Sequence, residues 1–105
     1  MMSISGGDDS VTVLADLFRL LGDPTRLRIV LSCAEGPVAV HDIAARHDLS
    51  SSLVSHHLRL LRAARIVKAD RQGKQVFYLA ADQHISSVLT DMLSHIAEAH
   101  VEGER

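Results

Sequence analysis

Aromatic residues are almost missing: the 105-residue chain has two Phe, one Tyr and no Trp. Any core must therefore be aliphatic, built from Leu, Val, Ile and Ala, and such a composition leans helical. A single cysteine, Cys33, excludes an internal disulfide framework and a cysteine-only zinc ribbon. Two prolines and six glycines exclude a collagen-like chain and argue against disorder. No apolar run reaches the length of a membrane span. The opening MMSISGGDDS has neither the basic start nor the apolar stretch of a secretory signal. The expectation is a cytoplasmic, reduced protein. Also lacking are a nucleophile motif, a Gly-rich phosphate loop and H-E-x-x-H, so the chain is expected not to be an enzyme.

What is present suits one small domain: 47% of residues are hydrophobic and 23% charged. Residues 1–9 read as a disordered polar leader and 10–102 as the folded domain. The net charge of −2 hides a strong asymmetry. Within residues 46–75, Arg46, Arg59, Arg62, Arg65, Lys68, Arg71 and Lys74 face only Asp48 and Asp70, a balance of +5 that leaves −7 for the remainder.

Ser10 is a cap candidate for a first helix whose apolar residues Val13, Leu14, Leu17, Leu20 and Leu21 recur at helical spacing. Asp23 and Pro24 open a second helix that Gly36 and Pro37 stop. A short third helix, Val40 to His47, meets a tight turn at Asp48–Leu49–Ser50, and a fourth follows at once. Leu53, Val54, Leu58, Leu60 and Leu61 are expected to form its buried stripe. Extended runs at Ile66–Asp70 and Gln75–Leu79 predict a hairpin that reverses through Arg71–Gln72–Gly73–Lys74. A last helix runs from Asp82 to about Val101. The fold class is mainly α with a small β-hairpin, arranged as a winged helix–turn–helix.

In such an arrangement the helix after the turn enters the major groove with short polar residues at its N-terminal end, and the hairpin supplies backbone charge. Ser51, Ser52, Ser55, His56 and Arg59 fit the first role and Arg71 and Lys74 the second. The stretches Leu21–Gly22–Asp23–Pro24–Thr25–Arg26–Leu27–Arg28–Ile29 and Val54–Ser55–His56–His57–Leu58–Arg59–Leu60–Leu61, with the basic hairpin, resemble the bacterial ArsR/SmtB family of metal-responsive repressors. The resemblance runs from about Val11 to Val101. It implies a homodimer, joined through the terminal helices, that binds double-stranded operator DNA when metal-free and releases it when an inducer binds.

The last helix carries Asp82, His84, His95, Glu98 and His100. His84 and His95 return to nearly the same face but lie roughly 16 Å apart along the axis, so one ion cannot touch both on one helix. If two copies pack antiparallel about a two-fold axis, Asp82 and His84 of one meet His95 and Glu98 of the other, giving two equivalent sites. Two imidazoles and two carboxylates suit tetrahedral Zn(II). The family comparison agrees: a D-x-H and an H-x-x-E or H-x-x-H about three turns later form the intersubunit site of its zinc sensors.

His100 leaves Ni(II) or Co(II) open, because some relatives reach six-coordination with histidines near the chain end. The family's other site uses cysteines where this chain has Ala39–Val40–His41–Asp42, which argues against sulfur-seeking inducers. His41 reads as a surface histidine and Cys33 as a small core residue. The resemblance further implies that His95 passes the signal through its other ring nitrogen to backbone near His56. The alternative reading is a winged-helix DNA-binding regulator that answers a non-metal signal.

Overall fold

The structure, a computed structural model, describes residues 8–103, with side chains over 9–99. Most of the expected leader lies outside the described residues. The first helix, α1, spans Asp8–Leu21, so it starts two residues before Ser10, the expected cap. An acidic residue such as Asp9 is welcome in a first helical turn, where the helix dipole favours negative charge.

Asp23 caps α2 (Pro24–Ala34): its Oδ2 accepts from the backbone N–H of Arg26 at 2.9 Å, and Pro24 occupies the first turn. Gly36, at φ +144°, turns the chain into β1 (Val38–Ala39). α3 (Val40–His47) ends on Asp48 in the left-handed region at φ 56°, and Leu49 N–H donates to the Ala44 carbonyl at 2.9 Å. Ser50 then caps α4 (Ser51–Ala63), its Oγ accepting from Leu53 N–H at 3.0 Å.

The buried face of α4 is narrower than expected. Val54, Leu58 and Leu61 are fully buried, whereas Leu53 and Leu60 are 39% and 38% exposed. At 100° per residue the latter two fall at the edge of the stripe. His57 lies inside that stripe and is only 8% exposed.

β2 (Val67–Gln72) and β3 (Gln75–Ala80) pair antiparallel, with Gln72 opposite Gln75. The reversal therefore takes two residues, Gly73 and Lys74, with Gly73 at φ +65°. The hairpin is also part of a larger sheet: β1 pairs antiparallel with β3, Val38 opposite Tyr78, giving a three-stranded order β1-β3-β2. Together α3, the turn, α4 and the hairpin form a winged helix–turn–helix.

Ile29, Val30, Cys33, Ile43, Val54, Leu58, Leu61, Ile66 and Val67 make the core beneath it. α5 (Gln83–Gly103) joins that core only near its start, through Ile85 and Leu89. Its remaining apolar residues Val88, Met92, Leu93 and Ile96 are 50% to 58% exposed. Val11, Val13, Leu14 and Phe18 of α1 are exposed to a similar degree. Among the described residues no helix is long and apolar enough to cross a membrane.

Candidate nucleic-acid interface and metal centre

The expected DNA-reading residues lie together on α4. Ser51, Ser55 and Arg59 follow one another at four-residue steps, and Ser52 and His56 form a parallel row, so the five cover one continuous side of the helix, from the flank beside Leu58 to the side away from Val54 and Leu61. Ser51, Ser52, His56 and Arg59 are exposed and Ser55 is half-buried. The Ser50 cap and the left-handed Asp48 fix where this face begins. Arg71 and Lys74 are exposed on the wing, with Arg71 opposite Val76 in the strand register.

Beside the start of α4 opens a polar cleft of about 280 Å³ lined by Thr25, Arg28, Arg46, His47, Asp48 and Leu49. Thr25, Arg28 and His47 had no functional role in the sequence reading. The signal was Arg28 on the exposed side of a helix whose other face carries Ile29 and Val30. Arg46 also approaches Glu35 at 3.6 Å, and His47 Nε2 is 2.8 Å from Ser32 Oγ.

A second polar group lies behind the expected reading face. The Arg26 side chain donates from Nε to His57 Nδ1 at 3.3 Å and from Nη1 to the Leu20 carbonyl at 3.0 Å. Burial lowers the pKa of His57 below its ordinary value, and the guanidinium of Arg26 lowers it further. The two sequence stretches that carried the family resemblance thus meet at one hydrogen bond.

The candidate metal ligands lie at the two ends of α5. Asp82 caps the helix, its Oδ1 accepting from Ile85 N–H at 3.1 Å. His84, His95 and Glu98 are exposed, and the side chain of His100 lies outside the described residues. Among the described residues of one chain, no three His, Cys, Asp or Glu come together as a metal site. That agrees with the roughly 16 Å rise between His84 and His95. The donor set itself, imidazole nitrogens and carboxylate oxygens on water-accessible side chains, fits a borderline divalent ion.

His41 is exposed, 3.5 Å from Asp42. Cys33 is buried, and burial pushes its thiol up to about 12, so it is a core residue rather than a thiolate ligand.

Residues 23–69, which span α2 to the first half of the wing, match the model of the arsR family of bacterial regulatory proteins. The chain is also 38% identical over 91 residues to the transcriptional repressor SmtB homolog of Synechocystis, covering 87% of this chain and 69% of that protein. The chain belongs to the arsR family. It spans between 62% and 73% of the length of such curated repressors and regulators. Two solved arsR-like structures bear on the site. One is the cadmium metal sensor CmtR of Mycobacterium tuberculosis, 40% identical with a TM-score of 0.65 over 73% of this chain and 80% of that one. The other is a homodimeric winged helix–turn–helix DNA-binding domain from Mycobacterium bovis, 26% identical with a TM-score of 0.71 over 94% of each chain. The relatives are transcriptional repressors and regulators, not enzymes.

Proposed function

We propose that residues 10–102 form a metal-responsive transcriptional repressor. It binds double-stranded operator DNA as a metal-free homodimer and leaves it when Zn(II), or Ni(II) or Co(II), occupies two equivalent intersubunit sites. The observation that carries this reading is the surface of α5, where half-exposed apolar side chains and metal donors share one helix. Val88, Met92, Leu93 and Ile96 are half-exposed, and by helical spacing His84 and His95 border the stripe they form. Burying that stripe against its copy brings the start of one α5 beside the end of the other, which joins Asp82 and His84 to the partner's His95 and Glu98.

The metal, when bound, supplies a divalent charge shared by two chains. The ligands then hold the two terminal helices in one relative position. The two α4 helices must meet successive major grooves about 34 Å apart, so a dimer held at another spacing loses affinity. Ser51, Ser52, Ser55, His56 and Arg59 read the groove, while Arg71 and Lys74, with Arg28 and Arg46 from the cleft, meet phosphates. The absence of thiolates at Ala39–Val40–His41–Asp42 favours nitrogen- and oxygen-seeking ions over the cadmium of CmtR.

Fluorescence anisotropy on the DNA upstream of its own gene, titrated with Zn(II), Ni(II) and Co(II), tests this reading. The expected result is release by one of these ions, abolished in His84→Ala and in His95→Ala, both of which keep the metal-free affinity. An affinity that no ion changes would mean that the protein answers a non-metal signal. Binding indifferent to salt would remove the DNA reading altogether.

A further inference from the structure

We infer that Arg26 is a positioning residue for DNA reading: it donates to His57 on α4 and to the last turn of α1 at once, and it holds the reading helix in place only while His57 is unprotonated. The inference rests on the DNA-binding reading and adds to it a residue that is not one of the proposed base- or phosphate-contacting side chains.

The geometry requires a particular protonation state. An Arg Nε–H can only donate, so Nδ1 of His57 must offer its lone pair and the ring proton must sit on Nε2. A second proton would turn both ring nitrogens into donors and set two cations 3.3 Å apart in a poorly solvated place. The other arm of Arg26 reaches the Leu20 carbonyl, and Asp23 caps the Arg26 backbone, so the guanidinium is fixed at the α1–α2 corner. Asp23 and Arg26 from α2 and its cap, and His56 from α4 itself, are the charged or titratable groups that act on His57. Asp23 favours the imidazolium, while burial, Arg26 and His56 oppose it and prevail.

α4 is also held by close-packed aliphatic contacts from Val54, Leu58 and Leu61, which are not directional in themselves. The Arg26 fork adds direction. A loss of direction of about an ångström at Ser52 or Arg59 is enough to misplace a base contact.

The sign of the pH effect separates this link from ordinary charge. Added positive charge on the exposed face strengthens DNA binding. Protonating His57 breaks the link and weakens it. In the unfolded chain His57 titrates at its ordinary 6.5 and in the folded chain below that, so its share of stability is whole above 6.5 and begins to fade as pH drops below, while the link itself breaks as pH falls further, through the lowered folded value.

The test is DNA affinity of the full chain by anisotropy, in chelator and at fixed salt, from about pH 8 to about pH 5.5, with thermal melts at each pH. Wild type is expected to lose about tenfold in affinity across that range while still folded. His57→Asn places a non-titrating amide oxygen where Nδ1 accepts. It is expected to bind like wild type near neutral pH and to lose the acid decline. Arg26→Gln is expected to bind about tenfold more weakly at neutral pH, with partial recovery in Arg26→Lys. An unchanged acid decline in His57→Asn, or wild-type affinity in a folded Arg26→Gln, overturns the inference alone. Absence of any salt-dependent binding by wild type at neutral pH overturns the DNA reading, and the inference with it.

Discussion

α4 and α5 are both amphipathic, yet the domain completes one and leaves the other open. On α4, Val54, Leu58 and Leu61 are sealed in the core by α2, α3 and β2, and the polar residues opposite them inherit a fixed position. On α5 the core claims Ile85 and Leu89, after which Met92, Leu93 and Ile96 remain half-exposed. A helix stabilised by its own chain can serve as a rigid reader. One whose apolar stripe awaits burial is suited to association, and whatever binds beside that stripe acts on the assembly.

The strongest way to break this contrast is to truncate one residue on each helix. Leu61→Ala removes a fully buried side chain and is expected to destabilise the domain by about 2–5 kcal/mol in urea denaturation. Met92→Ala, measured at concentrations where the protein is monomeric, should cost less than about 1 kcal/mol, because the side chain already meets water. Equal losses would mean that α5 is as much a part of the monomer's core as α4.

A smaller effect on the fold, but a decisive one on assembly, is expected from Leu93→Glu. A carboxylate in the middle of the α5 stripe leaves the exposed monomer surface soluble and opposes burial against a second copy. Sedimentation should show self-association weakened by about tenfold or more, with helicity by circular dichroism preserved. Metal-driven release from DNA should vanish as well, since the proposed ligands meet only across the dimer. A variant that stays dimeric would move the interface elsewhere and separate the proposed ligands from it.

How far the sequence could be read follows the same contrast. Helix limits around the proposed reading unit were legible where single residues announce them: Asp23 as a cap, Pro24 at a first turn, and a tight turn at Asp48–Leu49–Ser50, within which Asp48 takes the left-handed stop and Ser50 the cap. β1 was not legible, because a two-residue strand has no periodicity, and Val38–Ala39 becomes a strand only through its pairing with β3. The edge of the α4 stripe was misjudged at Leu53 and Leu60 because hydrophobicity alone was followed. The three- and four-residue spacing from Val54 to Leu58 and Leu61 places His57 inside the stripe instead. The Arg26–His57 bond joins residues 31 apart, and nothing local in either segment signals it. The α5 donors were legible as a spacing, but a contact between two chains is not written in one.

The smallest expected effect concerns how α4 stops, where α5 simply runs on to Gly103. Arg65 sits in the left-handed region at φ 63°. Its N–H donates to the Arg62 carbonyl at 3.0 Å and Ile66 N–H donates to the Leu61 carbonyl at 2.9 Å, a Schellman stop whose preferred residue is glycine. Leu61 and Ile66, both fully buried, close it with an apolar contact on the core side. A side chain at that backbone conformation costs about 1 kcal/mol, so Arg65→Gly is expected to raise stability by up to about that amount in urea denaturation, partly offset by the greater freedom of glycine in the unfolded chain. The same change removes one exposed cation from the basic segment. If that cation meets a phosphate, the variant should bind DNA more weakly and its salt dependence should fall by about one unit of slope. Greater stability with weaker, less salt-sensitive binding would explain why a strained arginine stands where glycine fits better. Greater stability with unchanged binding would show that the stop of α4, in contrast to the role proposed for its start, has no part in reading DNA.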